Sequence, residues 1–184
     1  MRSLIDNKKG NTGIIIVTFF IILFMVLFLG FIFATGTAVV DYFFDVFAPE
    51  VSNLGVIQGA NFTYIDTITV DVLNDFIQSF TWLAGVGYIF VLVGAIVIPF
   101  MFRTGAETWL IGFFFVLMLV LIIASIFISN IYEDFYDDTG ELADRLKEQV
   151  LLSYLVLNSP LIFTIISFIS GLVLFTGLNR EEFV

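Results

Sequence analysis

The sequence contains neither cysteine nor histidine. Without thiols the chain cannot form disulfides or use a cysteine nucleophile, and without imidazole it lacks the commonest general base and metal ligand in proteins. The chain therefore also lacks the cysteine and histidine side chains that ligate most zinc, haem and iron–sulfur sites. We therefore expect no cofactor and no metal site.

Charged residues are also scarce. Only 13% of the 184 residues are charged, and the formal net charge is -10. A nucleic-acid surface needs clustered lysine and arginine, whereas the 7 basic residues here are scattered among 17 acidic ones. We therefore expect no nucleic-acid partner.

Apolar residues make up most of the chain. They account for 60% of the sequence, and the mean hydropathy is +1.08. A soluble domain of this length could not bury so much apolar surface. Four uncharged runs, at about 13–35, 81–102, 108–129 and 151–177, each reach the roughly 20 residues that cross a bilayer as a helix. The sequence thus predicts a single polytopic membrane domain with the lipid bilayer as a partner.

The segments between these runs, at about 36–80 and 130–150, are amphipathic. After the first run, apolar residues recur at helical spacing while Asp41 and Asp45 share the opposite face. In the second segment, Arg145 and Glu148 are expected to face water. The predicted fold is an all-α membrane protein. Its four transmembrane helices form two long antiparallel hairpins, with amphipathic extensions protruding on the outer side.

Local signals divide the first segment. Pro49 is expected to end the first helix. Gly55 and Gly59 mark a turn region, and Thr63 followed by Asp66 is a weak capping box opening a second amphipathic helix.

Basic residues predict the orientation of these spans. Four spans place both termini and the central link on one side, and Lys8, Lys9, Arg103 and Arg180 all fall there. Basic residues near span ends favour the cytoplasmic side. We therefore expect both termini on the cytoplasmic, or equivalent inner, side.

Small residues mark the faces on which helices are expected to pack. Helices in lipid approach most closely through small residues, so the second and fourth spans are expected to face inward or toward another subunit. The phenylalanine-rich first span is expected to face lipid or a neighbouring protein. The predicted packing positions are Ala84, Gly87 and Gly94 on the second span and Thr164, Ser167 and Gly171 on the fourth.

One polar group lies inside a predicted span, at Asn158, Ser159 and Pro160. Pro160 cannot donate a backbone hydrogen bond, so it frees a carbonyl that an ion or substrate could use, as in the broken helices of transporters. The alternative is an ordinary hydrogen bond between helices, which the sequence favours because no charged partner lies at membrane depth.

No set of residues predicts catalysis. No serine has a neighbouring base, and the acidic run at 133–141 does not have the ligand spacing of an EF-hand. We expect a non-enzymatic integral membrane protein that is a structural or accessory subunit of a larger assembly, in a multi-subunit complex or a virion membrane. Its partners would be other membrane proteins or further copies of itself. The alternatives are a small oligomeric channel or carrier, and an acidic-faced receptor or adhesion module.

Overall fold

The chain is predominantly helical in a computed structural model, which describes residues 7–64, 71–101 and 108–176. The long apolar runs contain few helix breakers, and a helix satisfies its backbone polar groups internally, as lipid requires. The helices are α1 (Asn7–Ser52), α2 (Asp71–Met101), α3 (Thr108–Tyr136), α4 (Glu141–Glu148), α5 (Val150–Leu157) and α6 (Ser159–Phe175).

Three of these helices, α1, α2 and α3, are long and apolar enough to cross a membrane. The helices α5 and α6 meet the same criterion only as a pair, bent by 66° at the break between them. The described residues therefore include the helices of an integral membrane protein, with three candidate spans or four if the bent pair counts as one.

Ring contacts set the relative direction of α1 and α3. Phe19 stacks on Phe114 with the ring centroids 6.3 Å apart, and Phe31 lies at the same distance from Tyr132. Residue numbers rise together along the two helices, so α1 and α3 run parallel. Beyond the second contact, both helices continue toward α4.

The other two long elements run in the opposite direction. Phe33 of α1 contacts Phe80 of α2 at 5.6 Å, and Gly30 lies under Tyr88, so numbering falls along α2 as it rises along α1. The helix α6 likewise runs antiparallel to α3. We call the end of the bundle that carries α4 and the C-terminal parts of α1 and α3 the acidic end, after its exposed carboxylates.

Three glycines receive bulky side chains from neighbouring helices. A Cβ atom at Gly30 would lie 2.5 Å from the ring of Tyr88, one at Gly85 would lie 2.8 Å from Leu151, and one at Gly171 would lie 2.9 Å from the ring of Phe114. These contacts join α1 to α2, α2 to α5 and α3 to α6. Lipid gives helices little hydrophobic reason to associate, so this close packing is a main source of cohesion.

The helix α1 lies at the centre of the bundle. Of its apolar stretch 44% is buried, against 28% for α2 and 22% for α3. Phe19 and Phe20 are almost fully buried. Phe19 and Phe20 therefore face the interior of the bundle, and the expectation that they face lipid or a neighbouring protein is wrong, whereas Phe28 is 49% exposed. An apolar side chain suits lipid and a protein interior equally well, so composition could not distinguish the two.

A short hairpin interrupts the helical pattern in the predicted turn region. The strands β1 (Val56–Ile57) and β2 (Ala60–Asn61) pair antiparallel. Gln58 and Gly59 between them both have positive φ, at 48° and 84°, as a two-residue type I′ turn requires. The glycine explains the turn, but strands this short had no alternating apolar pattern by which to predict them.

Helix boundaries differ from the prediction in two places. The helix α1 continues through Pro49 to Ser52, which is possible because a proline in the last turn removes only one backbone bond. The fourth apolar run is not one helix but the bent pair of α5 and α6. The capping motif at 63–66 lies partly outside the described residues.

We expect Gly30→Ala to destabilise the bundle by about 1–3 kcal/mol, because the added methyl group overlaps the Tyr88 ring in a packed core. Gly87→Ala is the matched control on α2, since no atom lies within 4 Å of the added methyl group. The control should be neutral or slightly stabilising. Unfolding in a graded SDS titration compares the two. Equal effects would contradict the close contact at Gly30.

Candidate functional sites

An ion-pair network joins α4 to α1 at the acidic end. Asp41 and Asp45 are one helical turn apart on α1, so both can face the same residue. Arg145 of α4 places Nη1 3.1 Å from Oδ2 of Asp41, and its Nη2 pairs with Asp45. Glu148 lies on the rim, 3.7 Å from Arg145. One guanidinium thus bridges two carboxylates of a neighbouring helix.

This network corrects the prediction for Asp41, Asp45 and Arg145, whose side chains are largely covered, whereas Glu148 faces water as expected. Asp41 is only 7% exposed, and Ala38 and Ala48 on the same face of α1 are buried as well. Small side chains above and below the aspartates let α4 approach. Burying a carboxylate is unfavourable unless it is paired, and the fork of Arg145 supplies the partner. A pair of acids spaced by four residues, with only one arginine in the other segment, was the signal in the sequence.

A chain of hydroxyl groups lies next to this network, between α3 and α5. The hydroxyl of Tyr132 lies 2.7 Å from Oγ of Ser153, which itself donates to the carbonyl of Leu146 at 2.6 Å. Both side chains are buried. Leu146 lies just before Gln149, where the backbone breaks between α4 and α5. The hydroxyl of Ser153 thus satisfies a carbonyl near the helix break.

The predicted intramembrane polar site coincides with the second break, between α5 and α6. Asn158 caps α5, because its Nδ2 donates to the carbonyl of Tyr154 at 2.8 Å. From α3, Ser129 donates to the carbonyl of Leu157 at 2.6 Å. Pro160 lies in the first turn of α6, where a missing N–H is tolerated. The oxygen of Ser159 is buried and has no hydrogen-bond partner among the described residues.

The break differs in detail from what the sequence suggested, because the bond of Asn158 goes to Tyr154 in the adjoining helix α5 and the bond from a separate helix comes from Ser129. Ser129 and Asn158 satisfy backbone carbonyls, as expected for a structural kink. The unpartnered oxygen of Ser159 is a polar group still able to accept or donate a bond.

The predicted packing residues lie in different surroundings. Gly171 is under the ring of Phe114, and Thr164 donates to the carbonyl of Pro160 at 2.6 Å. Ser167 is buried, and its hydroxyl has no partner in the described part of the chain.

On α2, the predicted packing face is largely open. Ala84 and Gly87 line a cavity that is bounded by α1 and contains Tyr88. Gly94 is exposed, and neither it nor Gly87 has an atom within 4 Å of an added Cβ. The structure does not place the side chains of the basic residues from which the orientation was predicted. Lys8 and Lys9 lie in α1 but their side chains are not described, and Arg103 and Arg180 lie outside the described residues.

The chemistry that these sites can perform is limited. In residues 7–64, 71–101 and 108–176, no group of three or more carboxylates is arranged to hold a metal ion. Asp41 and Asp45 are engaged by Arg145, and the hydroxyls of Ser129 and Ser153 donate to backbone carbonyls. These contacts position helices; none pairs a nucleophile with a base.

Comparison with known proteins adds no family to this description. No family model, curated protein or solved structure matches the chain.

Arg145→Met should lower the stability of the protein by about 2 kcal/mol, because it leaves Asp41 buried without a partner. Adding Asp41→Leu should recover much of the loss, because it removes the more deeply buried of the two carboxylates that Arg145→Met leaves unpaired. Lys147→Met is the matched control on α4, since its pair with Asp144 is exposed and 3.9 Å long and should contribute less than about 1 kcal/mol. The graded SDS titration reports all three. If Arg145→Met did not lower the stability of the protein, the ion-pair network would not be a stabilising element.

Proposed function

We propose that this chain is a non-enzymatic structural or accessory subunit of a larger membrane assembly, in a multi-subunit complex or a virion membrane. In this proposal α1, α2, α3 and the bent pair of α5 and α6 make four spans arranged as two hairpins. Both termini lie on the cytoplasmic or equivalent inner side, as the basic residues predict. The acidic end then faces outward, where neighbouring subunits bind.

The observation that carries the proposal is the length of α1. Its 46 residues extend for about 69 Å, while the hydrocarbon core of a bilayer is about 30 Å thick. Phe31 lies level with Tyr132 of α3, just beyond the exposed polar residue Asn130. The bilayer boundary on α1 is therefore near Phe31, and the part of α1 from Ala34 to Ser52 projects about 28 Å beyond it.

This projecting part is apolar on its outward side. We call the surface formed by five of its side chains, each between 44% and 54% exposed, the α1 extension face: Val39, Val40, Phe43, Val46 and Phe47. The rings of Phe43 and Phe47 stack with centroids 5.4 Å apart, which makes one continuous aromatic surface. Exposed apolar surfaces of this kind mark protein or membrane contacts.

The charges at the same level favour a protein partner over lipid. Asp41 and Asp45 bind α4 on the opposite side of α1, so the α1 extension face lies at the same level as α4, where Glu141, Asp144 and Glu148 are exposed. Exposed carboxylates at that level indicate water, since a charged side chain in hydrocarbon is strongly disfavoured. Large aromatic side chains in water are best explained by a partner that covers them. Inside the membrane, the open and exposed position Gly94 offers a second surface for a neighbouring helix.

The combined variant Phe43→Ser with Phe47→Ser should release the chain from its assembly, because it removes the aromatic centre of the α1 extension face. We expect the native mass of gently extracted protein to fall to that of a smaller species, with co-purifying proteins or further copies of the chain lost. The midpoint of SDS unfolding should stay close to that of the unmodified protein, since both rings are about half exposed.

Phe135→Ser is the control for this experiment, because Phe135 is 44% exposed at the acidic end but lies on α3. It should leave the native mass unchanged. An unaltered assembly in the double variant would contradict the proposal. The proposal would also be contradicted if the wild-type protein were monomeric, with no partner, after gentle extraction. The identity of any released protein distinguishes a mixed complex from a homo-oligomer.

A channel or carrier is the second candidate, and the break at Asn158 is the observation that favours it. The bend of 66° and the unpartnered oxygen of Ser159 resemble the interrupted helices of transporters. The absence of Asp, Glu, Lys and Arg from the four apolar runs argues against it, because ion pathways usually carry charged side chains at membrane depth.

Liposomes containing the wild-type protein should show no selective ion flux if the subunit proposal is correct. Flux that disappears in Asn158→Leu, at unchanged native mass, would instead establish the channel. Thr176→Val is a suitable control, since its hydroxyl also bonds a backbone carbonyl, at the opposite end of α6.

A further inference from the structure

A crevice opens at the acidic end, between α2 and the break that separates α4 from α5. It consists of two adjoining cavities of about 380 and 170 Å³, which share Gln78, Thr81, Glu148 and Gln149 as lining residues. The backbone of Gln149 leaves helical geometry there, with φ of -83° and ψ of 54°. The crevice thus exists because the fourth segment breaks where it passes α2.

The lining changes from polar to apolar along the crevice. The smaller cavity is bounded by Asp41 and Arg145 of the ion-pair network. The larger cavity is bounded by Trp82, Leu151 and Tyr154. A ligand that fills both must therefore have a charged or polar end and an apolar end.

The position of the crevice relative to the bilayer matches this change. Trp82 begins the uncharged run of α2, and both Trp82 and Tyr154 are more than 60% exposed. Tryptophan and tyrosine prefer the level of the lipid headgroups, where one side is apolar and the other is wet. The polar cavity lies on the acidic-end side of these rings, so the crevice has the orientation of a lipid molecule in the adjacent leaflet.

The charges in the smaller cavity select among headgroups. Its walls carry the carboxylates of Asp41 and Glu148 against the single guanidinium of Arg145, which also pairs with Asp45 on α1. A lipid with net negative charge would meet an excess of negative charge there. An ammonium group would be attracted by the carboxylate of Glu148, which lines both cavities.

We propose that this crevice binds one phospholipid with a zwitterionic, ammonium-bearing headgroup. The ammonium lies against Glu148 in the smaller cavity, the side-chain amide of Gln78 donates to the phosphate, and Trp82 forms a wall of the larger cavity. The acyl chain follows Leu151 and Tyr154 into the bilayer. This site depends on the membrane location of the chain but not on its role as a subunit, so it stands if the assembly proposal fails.

Native mass spectrometry of the detergent-purified protein tests the site. The probes are phosphatidylethanolamine and phosphatidylglycerol with identical acyl chains. We expect the wild type to retain one phosphatidylethanolamine per chain and to prefer it over phosphatidylglycerol. Trp82→Ala should lower the occupancy of phosphatidylethanolamine about fivefold, because one wall of the crevice is lost.

Trp109→Ala is the matched control, since Trp109 is equally exposed but lies at the opposite end of the bundle. It should leave the occupancy unchanged. Trp82 is 64% exposed, so its loss should not affect SDS unfolding. Equal losses in the two variants, or no retained lipid in the wild type, would show that lipid contacts here are nonspecific and would overturn the proposal.

A second pair of variants tests the headgroup. Glu148→Gln should narrow the preference for phosphatidylethanolamine over phosphatidylglycerol several-fold, because one of the two wall carboxylates is neutralised. Asp144→Asn removes a charge from the same helix without touching the crevice and should leave the preference unchanged. Equal retention of both lipids by the wild type, or a preference for phosphatidylglycerol, would overturn the choice of headgroup.

Discussion

Close approach of helices at three glycines is the constraint on which the rest of this structure depends. In lipid, an apolar side chain gains little by leaving the bilayer for a protein interior, so cohesion has to come from contact area between surfaces that fit. Gly30, Gly85 and Gly171 each provide the space for one bulky side chain from another helix. Together they connect α1, α2, α3 and the broken fourth segment. The exposed surfaces of α2 and α3 remain available to lipid and to neighbours.

Polar contacts have a different task, which is to satisfy the backbone where the fourth segment breaks. A carbonyl without a partner is costly in a medium that contains no water. Ser153 bonds to the carbonyl of Leu146 near the first break, and Ser129 bonds to that of Leu157 at the second. Because these breaks are stabilised, α4 can lie against α1 and bring Arg145 to Asp41. The amphipathic crevice and the ion-pair network are both consequences of this arrangement.

The α1 extension face and the crevice suggest how one helical bundle can present surfaces both to lipid and to water. Within the bilayer the helices present apolar surface on nearly every side, which lipid accepts. In the proposed arrangement, the same kind of surface on Phe43 and Phe47 lies beyond the bilayer, on the side of α1 that faces away from α4. A partner that covers this face would contact the aromatic rings together with Glu50, which is exposed three residues after Phe47 on the same side of α1. The combination of an aromatic centre with a charged rim is common in protein interfaces.

The sequence by itself determined that this is a helical membrane protein, because length and hydropathy are local properties that a bilayer reads directly. Three long apolar helices could be located on that basis, and glycine, asparagine and proline located the turn near Gly55 and Gly59 and the polar interruption at Asn158. The sequence also predicted Gly171 as a packing position, but it could not predict that the ring of Phe114 lies against it. The hairpin at Val56 lacked a pattern long enough to be recognised.

Only the tertiary structure decided which surfaces face inward. Periodicity identifies a buried face when the other face is polar, but in the spans both faces are apolar, so nothing marked Phe19 and Phe20 as buried. On the amphipathic segments, residues that the pattern predicted to be exposed are instead covered by another helix. Asp41, Asp45 and Arg145 looked like a wet surface, because pairing across helices depends on which helix lies opposite. The local pattern predicts that these residues face water. They form a buried ion-pair network because a helix that is distant in the sequence packs against them.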